Sequence, residues 1–224
     1  MKKIGAALPV ALVCAACAVM AVVDGVIQPG YGLKSAVKLV LFLLLPLLYG
    51  RFDKSCDLRS LFRSPGRSIP VALGVGVGVY AVIMGAYFLL RSVIDFAALS
   101  SALTASTGVN GENFLFVALY ISFINSLLEE FFFRGFAFLE LRRRTTVVFA
   151  YGFSALAFSL YHVAMMIGWF SPLIFLLALT GLFVGGLIFN FFNERFGNIY
   201  VSWLIHMFAN FAINTVGFIM FAAQ

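Results

Sequence analysis

Seven apolar runs, each long enough to cross a lipid bilayer, take up most of this 224-residue chain. A helix needs about 20 mostly apolar residues to traverse the hydrocarbon. Read against turn and charge punctuation, the runs predict spans at about 4–24, 33–50, 69–90, 113–141, 146–168, 172–191 and 200–222. Hydrophobic residues make up 63% of the chain and charged residues 11%, against about 25% charged in a soluble domain. A water-soluble fold would have too few polar side chains to cover its surface. The predicted fold class is therefore all-α: one membrane domain over 1–224, a helical bundle of about seven spans or, with one more division, eight. Residues 91–112 form the most polar connection, with Asp95, Ser100, Ser101, Thr104, Ser106, Asn110 and Glu112, and have room for a short interfacial helix.

The net charge of +6 does not point to nucleic acid. Arg51, Lys54, Arg59, Arg63 and Arg67 fall in one loop, broken at Ser64-Pro65-Gly66, and Arg142, Arg143 and Arg144 fall in another. Short basic loops of this kind follow the positive-inside rule and face anionic lipid headgroups. A cytoplasmic N-terminus puts Lys2, Lys3, both clusters and Arg195 inside. Only Lys34, Lys38 and Arg91 then fall on or near the outer side. The start, Met1-Lys2-Lys3 with Ala15-Ala16-Cys17 further on, has the outline of a signal peptide. Its apolar run continues to about Val23, longer than a usual signal core of 7–15 residues, so an uncleaved first span is expected. Cys14 and Cys17 share an apolar helix face and read as packing residues, and Cys56 as a free thiol. Gly74 and Gly78, like Gly181 and Gly185, have the small-xxx-small spacing that permits close helix contact.

The exceptions to this apolar pattern carry the chemistry. A carboxylate or guanidinium at a helix centre costs about 2.5–3.5 kcal/mol on insertion scales, yet Glu129, Glu130 and Arg134 all lie within the fourth run. Glu130 and Arg134, four apart, share a face and can pair. Glu129 is turned from Glu130 by about 100° and lacks that partner. Desolvation beside a second carboxylate is the setting that tunes a carboxyl group for acid–base work. Glu130–Arg134 is thus predicted to be a brace and Glu129 the reactive group. The plainer alternative is a buried ion network that only holds helices together.

The two histidines of the chain, His162 and His206, also lie inside spans. Phe158 precedes His162 by four residues and Asn210 follows His206 by four, each pair on one face. Glu129 and His162 can activate a water, while His206 and Asn210 can donate to an oxyanion. Glu129, His162 and His206 can equally form a first shell for zinc. Counting about 1.5 Å per residue from the cytoplasmic ends puts Glu129 and His162 about 20 Å deep but His206 only about 10 Å. Tilt or a shifted boundary must absorb that difference. Phe131, Phe132 and Phe133 read as lipid-facing or packing surface rather than a substrate pocket.

Glu129-Glu130-Phe131-Phe132-Phe133-Arg134-Gly135 resembles the EExxxR motif of the CPBP family, the CAAX-protease and bacteriocin-processing membrane proteins. Phe158 to His162 resembles its FxxxH motif and His206 to Asn210 its HxxxN motif, in the family's order. Gly181 to Gly185, with Asn198-Ile199 leading into His206, resembles the run before the third motif. The likeness covers about residues 115–215, so 113–224 is expected to be the catalytic core and 1–112 a variable region. It implies a hydrolase: an intramembrane endopeptidase of a bacterial cell membrane, with Glu129 and His162 on the water, His206 and Asn210 on the oxyanion, and Glu130, Arg134 and Phe158 in support. Its partners would be the bilayer and a membrane-embedded or lipid-linked peptide. The family is commonly called metalloproteases, and a metal-free glutamate mechanism is also proposed for it. Without an HExxH helix, no cofactor is expected to be required, with zinc the alternative. A bacteriocin-immunity protein or other non-catalytic scaffold, and a proton-coupled transporter, are the competing classes. The oligomeric state is not legible.

Overall fold

The computed structural model describes residues 5–222 apart from Pro65, with Arg67 described through its backbone alone. Lys2 and Lys3, read above as inside charges, lie outside the described residues. All regular structure among the described residues is helical. Seven helices among the described residues are long and apolar enough to cross a membrane: Ala7–Ile27, Tyr31–Phe52, Ile69–Leu90, Phe114–Arg144, Val147–Met166, Pro172–Phe196 and Tyr200–Ala222. The polar connection holds a short helix, Phe96–Thr107, capped by Asp95 at its start and ended by Gly108 with φ 71°. The predicted fold class and number of spans stand.

The boundaries differ where a charge finds a partner. Asp24 does not end the first span, because it pairs with Lys34 at 2.7 Å and the helix runs on to Ile27. The fourth span continues through the arginine triplet to Arg144, since Arg142 pairs with Glu194, Arg143 with Glu140, and Arg144 with both Glu140 and Asp53. The sixth span takes in Asn193-Glu194-Arg195-Phe196, the predicted loop. Asn193 is buried there and Glu194 accepts from Tyr151 and Arg142. Gly197, at φ 64°, ends the helix, as its freedom at positive φ allows.

The basic loop after the second span is tied to the ends of the others. Arg144 reaches Asp53 at 2.6 Å and Arg143 donates to the Ser55 carbonyl, while Ile199 donates its amide to Leu61. Burial opposes the charge on Asp53, but hydrogen bonds from Ser55 and Tyr49 and the Arg144 guanidinium prevail and hold its carboxyl at about 2. Cys56 is free but buried, its thiol pushed up to about 12 by burial and by the Glu140 carboxylate.

Within one chain, close packing runs through other glycines. Gly74, Gly78, Gly181 and Gly185 have nothing within 4 Å of where a Cβ would sit. Gly76 instead faces the Phe208 ring, at 2.5 Å from such a Cβ, and seats the third span on the seventh. Gly186 faces the Ala155 backbone at 3.0 Å and seats the sixth on the fifth. Gly76→Val should cost about 1–3 kcal/mol in a thermal melt through overpacking, whereas Gly78→Val, two residues away, should leave the melt within about 0.5 kcal/mol.

The fourth span forms the centre of the bundle. Phe131, Phe132 and Phe133 are buried and serve as packing surface, not lipid contact. Phe132 stacks on Phe42 of the second span at 4.2 Å, and Phe133 meets Phe158 and Tyr161 of the fifth. This aromatic layer sits directly against the buried charges.

Candidate active site

The fourth span is not a regular helix. It winds as π-helix over Tyr120–Asn125 and again over Glu130–Phe138, a departure found often at functional sites. Hydrogen bonding from i to i+5 widens the helix and disturbs its carbonyl ladder, and the seventh span supplies donors to that side. Trp203 donates to the Phe123 carbonyl and Ser126 Oγ, Asn210 to the Ile121 carbonyl, and Asn214 to the Ala118 carbonyl and Ser122 Oγ. With His206 these residues recur at three- and four-residue spacing, so one face of the seventh span docks on the fourth.

That docking brings His206 onto the carboxylates. Its Nδ1 lies 2.9 Å from Glu130 Oε1 and its Nε2 3.8 Å from Glu129 Oε2. The depth mismatch counted from the sequence is thus absorbed, in part because π winding takes more residues to cover the same length. Glu130, predicted as a brace, has two partners: Arg134 Nη1 at 3.4 Å and His206. Arg134 is fully buried, its guanidinium 4.1 Å from the Phe158 ring and 4.8 Å from Phe189. His206 stacks on Phe189 and meets Phe158 edge-on. Phe158, taken as a supporting residue, therefore lies between the guanidinium and both imidazoles.

His162 stands at a break in the fifth span, between helical segments Val147–Tyr161 and Val163–Met166. Its amide bonds back to Ser159, three residues away, which leaves the Phe158 carbonyl to its own ring Nδ1 at 2.7 Å. A carbonyl can only accept, so Nδ1 carries the proton and a neutral ring keeps its lone pair on Nε2. Glu129 interacts electrostatically with both histidines but is hydrogen-bonded to neither.

The second span provides a residue absent from the predicted site. Lys38 is 5% exposed, and its Nζ lies 3.1 Å from Glu129 Oε1 and 2.5 Å from Asn125 Oδ1. Asn125 Nδ2 donates to the same Glu129 oxygen at 2.9 Å. By loop charge alone Lys38 counts among the outer-side charges. It is instead inside the bundle, because a lysine in a span is stabilised by a buried counter-charge. Lys38 is a cation in an apolar run, the very feature that singled out Glu129, and Asn125 lies one helical turn before that glutamate. Both were within reach of the same rule.

Residues 111–212 match the family model described as type II CAAX prenyl endopeptidase Rce1-like. The CPBP resemblance carried by the three motifs holds over that segment. Together with seven candidate spans, the match points to an integral membrane protein and to a protease. No curated protein and no solved structure matches the chain. The matched segment ends at Ala212 and begins at Gly111, so Glu129, Glu130, Arg134, His162, His206, Asn210 and Asn125 lie inside it and Lys38 lies outside.

The proposed zinc ligands can be tested against their placement. Among the described residues no three His, Cys, Asp or Glu side chains are gathered as a metal site. Glu129 Oε1 already faces an ammonium group, which repels a dication. As placed, these residues do not fit a zinc centre.

Proposed function

We propose that this chain is a glutamate-dependent intramembrane endopeptidase that hydrolyses a peptide bond in a membrane-embedded or lipid-linked peptide without a metal. One observation carries the reading: Glu129 has one oxygen held by Lys38 and Asn125 and the other turned to His206 Nε2 across 3.8 Å. That separation is beyond a direct hydrogen bond and within the span of a bridging water. Glu129 Oε2 takes a proton from the attacking water, with the Nε2 lone pair of His162 as second acceptor. Attack on the scissile carbonyl places negative charge on its oxygen. His206 Nε2 and the second N–H of Asn210 Nδ2 donate to it. For that donation His206 carries protons on both nitrogens, with the Glu130 carboxylate as counter-ion, and Arg134 balances Glu130. The proton on Glu129 then passes to the leaving amine.

Lys34 and Lys38 pair with Asp24 and Glu129, so neither opposes the charge asymmetry of the loops. A cytoplasmic N-terminus and a bacterial membrane are part of the proposal.

The test is cleavage of a fluorogenic membrane-peptide library by the purified chain and by Glu129→Gln, each with and without a zinc chelator. Cleavage that survives the chelator and disappears in the variant is the expected result. Cleavage that the chelator abolishes would move Glu129, His162 and His206 to a metal site. No cleavage by the wild type would favour a scaffold or immunity protein.

A further inference from the structure

We infer that Lys38, from the second span, is a positioning residue for the reaction: it holds Glu129 by one oxygen so that the other faces the reacting atoms. The inference rests on the peptidase reading above and extends the site beyond the segment that matches the family model.

Two contacts converge on a single carboxylate oxygen, and a third joins the two donors. Lys38 Nζ lies 3.1 Å from Glu129 Oε1, Asn125 Nδ2 donates to that same oxygen, and Lys38 also donates to Asn125 Oδ1. The triangle fixes the rotation of the carboxylate about its last bond, a torsion that is otherwise soft. Oε2 makes none of these contacts. It faces His206 Nε2 at 3.8 Å.

The lysine is itself restrained. Its ammonium lies 5.0 Å from the Tyr161 ring and 5.8 Å from Phe42, and Phe42 stacks on Phe132 of the motif. A buried ammonium is costly within a span unless a counter-charge is close. Glu130 already has Arg134, so Lys38 is the cation that balances Glu129. A mere brace between the second and fourth spans could have engaged both oxygens of Glu129. This one leaves the oxygen on the histidine side uncommitted, as a base requires. The second span therefore completes the active site instead of merely surrounding it.

The experiment uses the full chain in detergent with a peptide cleaved by the wild type. Lys38→Met should lower kcat about 100-fold with KM within about 3-fold, and Lys38→Arg, which keeps the cation, should recover at least about a tenth of wild-type kcat. Asn125→Ala removes the other arm and keeps the ion pair, so it should cost about 10-fold in kcat alone. Should Lys38→Met fail to fold, Asn125→Ala and Lys38→Arg decide the matter. An infrared difference spectrum between wild type and Glu129→Gln isolates the Glu129 carboxylate band without any substrate, and Asn125→Ala should move that band. Wild-type kcat in Lys38→Met or Asn125→Ala, or an unmoved band, overturns the inference. So does equal loss in Lys38→Met and Lys38→Arg accompanied by a raised KM. A fully active Glu129→Gln would instead overturn the peptidase reading itself.

Discussion

Glu129→Gln is expected to lower kcat by about 10³-fold or more, because an amide cannot accept the proton that the attacking water must lose. Size and hydrogen bonding are nearly kept: the amide oxygen can still accept from Lys38 and from Asn125 Nδ2, the present partners of Oε1. What changes is charge. The variant leaves the Lys38 ammonium buried without its counter-ion, so some stability is lost with activity. The double variant Glu129→Gln/Lys38→Met separates the two. It removes both charges together, and replacing a buried pair with neutral groups is often neutral or stabilising. Its thermal melt should match the wild type within about 1 kcal/mol while cleavage stays absent. A double variant that cleaves would remove Glu129 from the chemistry. One that melts much lower would mean that the pair is the main tie between the second and fourth spans.

Much of the site was legible because lipid makes polarity conspicuous. In a chain with 63% hydrophobic residues, each carboxylate, guanidinium or imidazole inside a span stands out, and Glu129, Glu130, Arg134, His162 and His206 do converge, with Phe158 among them. The same logic applied to Lys38 was overridden by counting it towards loop charge. Its position near the start of a run leaves the depth ambiguous, and its burial against Glu129 and Asn125 settles it inside. The π-helical stretches were not legible, since apolar periodicity over a few residues does not distinguish i+4 from i+5 bonding. They matter nonetheless: they disturb the carbonyl ladder on which the seventh span docks, and that docking puts His206 on Glu130, so the brace to Arg134 also orients an imidazole. Spacing alone does not say which glycines meet a neighbour within one chain. Gly74 and Gly78 have the favoured spacing, yet the contact face of the third span runs through Gly76, because the facing residue on the seventh is the bulky Phe208. Asn210 was read as an oxyanion donor, and its amide is already engaged at the Ile121 carbonyl, which orients it and leaves one N–H for other use.

Arg134→Met should produce the largest loss of stability of any single substitution at the site. The guanidinium is fully buried and among the described residues its nitrogens have no hydrogen-bond partner. It is held by the Glu130 carboxylate at 3.4 Å and by the faces of Phe158 and Phe189. A methionine fills much of the same volume and keeps contact with both rings, so the lost term is chiefly charge. Glu130 would then remain buried with His206 as its partner, and breaking a buried pair in this way costs about 3–5 kcal/mol. The double variant Glu130→Gln/Arg134→Met takes out both charges and keeps an acceptor for His206 Nδ1. It should recover most of that loss in a denaturant titration, to within about 1 kcal/mol of the wild type. Activity should not return with the fold, because a neutral amide opposite Nδ1 no longer supports an imidazolium whose Nε2 faces the reacting carbonyl. Recovery of both would reduce Glu130 and Arg134 to packing. Recovery of stability alone would place Glu130 in the chemistry through His206, a second role for a residue that already balances the arginine.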